Sequence, residues 1–108
     1  MEVHQGDQYL IPFAITVDGE AVTPDNVDGV RIQVDKTLHQ WPEGELEYDS
    51  ETEAWMFPLT EQESLVMLAG KCPAEVAVLR GQDIRKGDTF ELNVKRSIIR
   101  KRWDGHGG

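Results

Sequence analysis

The sequence predicts an all-β sandwich of about seven strands with one short helix near residues 61–68. Three observations predict it. Polar and apolar residues alternate at period two in successive short runs, the pattern of half-buried strands. Gly, Pro and Asp punctuate those runs at the spacing that tight turns need. One stretch, Thr60-Glu61-Gln62-Glu63, carries the start signature of a helix. At 108 residues the chain has room for one core, so residues 1–98 read as a single sandwich domain. Residues 99–108 read as a basic strand extension and a disordered Gly-rich tail, Gly105-His106-Gly107-Gly108.

Tyr9–Val17 opens the sandwich, with Tyr9, Ile11, Phe13, Ile15 and Val17 on one face. Pro12 brings no backbone donor to that run, which places the strand at a sheet edge or breaks it locally. Asp18-Gly19 is a hairpin turn that returns through Ala21 and Val22. In Thr23-Pro24-Asp25-Asn26, Pro24 presets φ while Asp25 and Asn26 bond local backbone. Val30–Val34 is the cleanest alternating strand. Leu46 and Tyr48 face inward on the next, and Trp55, Phe57 and Leu59 on the one after. Thr60 and Glu63 satisfy each other's backbone amides, starting a helix over Glu61–Leu68 that stops at Gly70. Glu75–Leu79 turns Val76 and Val78 inward. Lys86-Gly87-Asp88 leads into a last strand, Thr89–Ile98, with Phe90, Leu92 and Val94 inward.

Charge is spread unevenly along this frame. Five bases, Lys95, Arg96, Arg100, Lys101 and Arg102, fall in the nine-residue run Lys95–Trp103, while the 94 residues before it hold six bases against 19 acids. The formal net charge of −9 argues against nucleic acid or an anionic membrane as partner of the body, since phosphate binding needs concentrated positive charge. The strip has that charge but only one aromatic residue and an acidic body beside it, so nucleic acid is its weakest reading. Docking on an acidic patch of another subunit is the reading its Ile98 and Ile99 favour. Apolar stretches such as Leu65–Ala69 are too short to cross a bilayer, and the N-terminal residues lack the basic and apolar regions of a signal peptide. Cys72 is the only cysteine, so no intrachain disulfide is available and folding in a cytoplasm is expected.

The candidate chemistry is sparse. Glu43, Glu45, Glu47, Asp49, Glu51 and Glu53 occupy alternate positions. On one continuous strand they would project from one face about 6.5–7 Å apart. Such a row is a solvated outer face ending in a Ser50–Glu53 turn, or a strip for cations or a basic partner. The Asp-x-Asp-x-Asp-Gly spacing of calcium loops is absent. His4, His39 and His106 fall in turn or terminal segments, and with Cys72 they form neither a nucleophile–base pair nor a zinc-ligand spacing. With 20 acids in the chain, a carboxylate pair carries no signal for glycoside hydrolysis. No catalytic, metal or cofactor residue is expected. Trp55 reads as core. Trp41, before Pro42 in a loop, and Trp103 read as exposed, either as interface anchors or as sugar-stacking platforms.

The order of motifs supports a further expectation. Gln5-Gly6-Asp7 leads into an apolar strand, followed by Val17-Asp18-Gly19-Glu20-Ala21-Val22 and Val30–Val34. Tyr48-Asp49-Ser50-Glu51-Thr52, Trp55-Met56-Phe57-Pro58-Leu59-Thr60, a short helix, Gly70-Lys71 and two closing strands complete it. Over about residues 5–98 this pattern resembles the Ig-like β-sandwich domains of bacteriophage tail and baseplate proteins. It is similar above all to the N-terminal domain of upper baseplate proteins from phages and prophages of Gram-positive bacteria. The resemblance implies Ig-like topology, no enzymatic activity, no cofactor and a role in symmetric particle assembly. It carries no site residue over.

The expected function is therefore that of a non-enzymatic phage or prophage structural protein. It would be made in the bacterial host cytoplasm and end in the virion. Its partners would be copies of itself or other phage structural proteins, with Lys95, Arg96, Arg100, Lys101, Arg102 and Trp103 meeting Glu43, Glu45 and Glu47 of a neighbour. Pairing through the edge of Thr89–Ile98 would extend a sheet between chains. A small carbohydrate-binding or adhesion module, stacking sugars on Trp41 and Trp103, is the alternative.

Overall fold

Strand alternation places the core between two unequal sheets. The computed structural model describes residues 2–87 and 89–96. The larger sheet holds six strands: β1 (Glu2–His4), β5 (Gly29–Val34), β6 (Thr37–Trp41), β9 (Gly70–Arg80), β10 (Asp83–Lys86) and β11 (Phe90–Lys95). Its order is β1-β11-β9-β5-β6, with β10 also paired to β9. The smaller sheet, in the order β2-β8-β7, holds β2 (Tyr9–Phe13), β7 (Glu47–Asp49) and β8 (Ala54–Leu59). A two-stranded hairpin of β3 (Thr16–Val17) and β4 (Glu20–Ala21) stands beside them. The fold is all-β and sandwich-like, as the sequence predicts, but the expected seven strands are divided into eleven short ones among the described residues.

The register explains which side chains are inside. In the large sheet Val30 faces Val78, Ile32 faces Val76 and Val34 faces Ala74, while Leu92 faces Cys72. In the small sheet Ile11 faces Phe57 and Phe13 faces Trp55. All of these side chains are buried. Tyr9 and Phe90, expected in the core, are partly buried at its margin. The layers are tied by specific contacts. The Phe13 ring meets Phe90 across the sandwich at 5.1 Å. His39 Nε2 donates to the Pro58 carbonyl at 2.9 Å, and the buried Trp55 Nε1 donates to the Val22 carbonyl at 2.9 Å.

Turn chemistry works as the residues dictate. Asp18 (φ +54) and Gly19 (φ +80) are both left-handed, as a two-residue I′ hairpin requires. The Asn26 side chain accepts from Thr23 N at 3.0 Å. Pro12 lies on β2, which is an edge strand, so its missing donor costs no ladder bond on the open side.

Five expectations need correction. The run Tyr9–Val17 is not one strand. After Phe13 the chain leaves β8 and pairs with β4, with Val22 N donating to Ile15 O at 2.9 Å. The helix α1 covers only Glu61–Leu65. The buried Met67 draws the chain inward, and its carbonyl accepts from Gln5 Nε2 at 2.6 Å. Gly70, at φ +118, opens β9 instead of closing the helix. Strand β9 runs through Pro73 because the β5 pairing starts only at Ala74, one residue later. Thr37–Trp41 is a strand, so His39 and Trp41 sit on a sheet and not in a loop. Finally, β11 is covered from Asn93 to Lys95 by the parallel strand β1, so that part of its edge is closed to another chain. Residues 97 and 98 of the predicted last strand, and the 99–108 segment, lie outside the described residues.

The capping box forms as predicted. Glu63 N donates to Thr60 Oγ1 at 3.1 Å and Thr60 N donates to Glu63 Oε1 at 2.8 Å. Thr37 Oγ1 on β6 donates to Glu63 Oε2 at 3.3 Å, which fastens α1 to the large sheet. Burial acts to raise the Glu63 carboxyl, but the Thr60 amide, the Thr60 and Thr37 hydroxyls and nearby His39 outweigh it and hold it below its usual value.

Replacing Trp55 with Ala is expected to cost about 3–5 kcal/mol, as large aromatic truncations in cores do. Urea denaturation measures this, and an unchanged midpoint would remove Trp55 from the core. For Glu63, the lowered folded value means that its stabilisation is present above the unfolded carboxylate value of about 4.3 and is lost as pH falls through the folded one. The stability difference between wild type and Glu63→Gln should therefore shrink as pH is lowered through that window. A difference independent of pH contradicts it.

Candidate functional site

The oppositely charged groups lie at opposite corners of the large sheet. Lys95 ends β11 beside β1 near one edge, and Arg96 follows it, both exposed. Val94 pairs with Gly70, at the start of β9. The loop carrying Glu43 and Glu45 leaves β6 at the other edge after Trp41, which pairs with Val30 and so lies level with Val78. Eight residues of β9 separate the two levels, about 26 Å of extended strand. Lys95 Nζ meets Glu2 at 3.7 Å in an exposed pair. Arg100, Lys101, Arg102 and Trp103 lie outside the described residues.

The alternating carboxylates do not form one row. Only Glu47 and Asp49 share a strand, β7. Glu43 and Glu45 sit in the preceding bend, and Glu51 and Glu53 in the following turn, where Glu53 takes φ +54. Asp49 is occupied locally, accepting from Glu51 N and from Thr52 Oγ1 at 3.0 Å each. Glu43, Glu45 and Glu47 are exposed and have no ion pair among the described residues. Their loop is held against β6. Leu46 N donates to Gln40 O at 3.2 Å, and Gln40 Nε2 donates to Glu43 O at 2.9 Å. At Gly44 a Cβ would overlap the Gln40 carbonyl oxygen, so the loop requires glycine there.

A feature absent from the sequence reading lies beside these acids. On the outer face of the small sheet, Leu10 faces Pro58 and Pro12 faces Met56. Leu10 is 58 % exposed. Leu10, Met56 and Pro58 line a shallow hollow of about 730 Å³ whose other side is formed by Glu45, Glu47 and Asp49. The signal was present: the runs Tyr9–Ile15 and Trp55–Leu59 are apolar on both faces, where a strand with one wet face alternates.

Trp41 is half-buried, its ring 5.4 Å from that of Trp55, and does not stand free as a stacking platform. It lines a groove of about 360 Å³ on the large sheet together with Leu79, Ile84 and Arg31. Arg31 Nε donates to Gln40 Oε1 at 3.1 Å. Burial pushes the Cys72 thiol up, and the Asp35 carboxylate adds to the shift. Among the described residues, no group of three or more His, Cys, Asp and Glu is placed to hold a metal ion. No helix there is long and apolar enough to cross a membrane.

Fold and surface together define an all-β sandwich-like protein with an acidic, partly apolar sheet face. No protein-family model matches the chain, and no curated protein matches it either.

Replacing Gly44 with Ala should destabilise the protein by about 1–3 kcal/mol, the usual cost of forcing extra volume into a packed site. Thermal melting reads it. A Gly44→Ala variant as stable as wild type would show that the loop is not held in this form.

Proposed function

We propose that this chain is a non-enzymatic structural protein of a phage or prophage particle, of its tail or baseplate, acting through protein–protein contacts. It is made in the bacterial host cytoplasm and passes into the virion. Its partners are copies of itself or other structural proteins of the particle. One observation carries the reading of an assembly protein: among the described residues exposed Glu43, Glu45 and Glu47 have no ion pair, and the loop bearing Glu43 and Glu45 leaves the large sheet at the corner opposite exposed Lys95 and Arg96. Opposite charges at opposite ends of one molecule attract neighbours head to tail. The resemblance to Ig-like baseplate domains supports the particle, and the sandwich fold agrees with it. Lys95, Arg96, Arg100, Lys101 and Arg102 supply the bases of the contact and Trp103 its anchor.

Sedimentation at low and high salt tests this. At about 50 mM salt the chain should sediment as an oligomer, and at about 1 M, where screening shortens to about 3 Å, its mass should fall. A monomer at both salts would sink the assembly reading, and an oligomer indifferent to salt its electrostatic part.

A further inference from the structure

The sheet face described above has the properties of a seat for a particular segment of the same sequence. We infer that the outer face of β2-β8-β7 binds Ile98–Trp103 of a second copy, an inference that rests on the assembly reading and names its contact surface. The chemistry matches on both sides. Leu10, Met56 and Pro58 form an apolar strip bounded by Glu45 and Glu47. Ile98-Ile99-Arg100-Lys101-Arg102-Trp103 sets two branched apolar residues and an indole around three cations. Apolar residues cover the strip and cations meet the carboxylates, so both are taken from water together. Charge alone would leave Leu10 and Pro58 wet.

The assembly reading assigns this segment to a neighbouring copy, so the contact is heterologous, and repeating it gives a ring or a filament.

Complementation in the full-length chain tests this. Leu10→Glu spoils the apolar strip while adding a negative charge, at a position exposed enough to leave the fold intact. Ile98→Asp with Ile99→Asp spoils the segment and leaves the face intact. Each variant alone should associate at least about tenfold more weakly than wild type at low salt. An equimolar mixture of the two should form dimers and nothing larger, because one sound face then meets one sound segment. Leu10→Glu associating as well as wild type, or better, overturns the seat while the assembly reading stands. A mixture that stays monomeric overturns the segment as occupant. Wild type that is monomeric at low salt overturns both.

Discussion

The structure depends on Trp55. Its indole is fully buried in the middle of the small sheet, where Phe13 faces it from β2 and Tyr48 from β7. The Tyr48 ring lies 5.1 Å away, and Trp41 reaches it from the large sheet at 5.4 Å. A buried indole N–H must find an acceptor, and the Val22 carbonyl, just past the β3–β4 hairpin, supplies it. One side chain thus gathers both sheets and the hairpin. It also anchors the start of the acidic loop, because the loop bearing Glu43 and Glu45 begins immediately after Trp41. Loss of the indole would leave a large void and an orphaned carbonyl, two penalties at one point.

What the sequence revealed was what local spacing determines. Alternation in Val30–Val34 and Trp55–Leu59 located buried residues correctly because each run stays within a single strand. The capping box was legible because its two partners lie three residues apart. Less legible were elements whose partners are distant or whose surroundings override composition. Glu2-Val3-His4 is too short to show a period, and its parallel pairing with β11 spans most of the chain. Asp83–Lys86 is exposed throughout and is a strand only because Gly81, at φ +60, folds it back on β9. The acidic row failed as a reading because alternate residues share a face only along unbroken strand. Gly44 and Glu53 bend the chain at both ends of β7.

Of the candidate site, the carboxylates were legible and the apolar strip was not recognised. Leu10, Met56 and Pro58 occupy the positions between core residues. In a sandwich those positions face solvent and are ordinarily polar. Reading Tyr9–Val17 for one buried face hid the fact that the other face is apolar too. An acidic row by itself describes a solvated surface. Carboxylates bordering an apolar strip describe a surface of mixed acidic and apolar character.

Several sheet edges carry features that oppose strand addition. An open edge recruits other strands unless it is short, charged or interrupted. Here β1 is three residues long and carries Glu2, whose carboxylate meets Lys95. Strand β2 carries Pro12, and β7 is three residues long with Glu47 and Asp49 on it. At the β6 edge, His39 and Trp41 turn toward the core and Thr37 is bonded to α1. Among the described residues, exposed apolar area lies beside carboxylates on the outer face of the small sheet, at Leu10, and in the groove that Leu79 and Ile84 line with Glu43. A contact there buries side chains without lengthening a β-ladder, so association can stop at the geometry the face dictates.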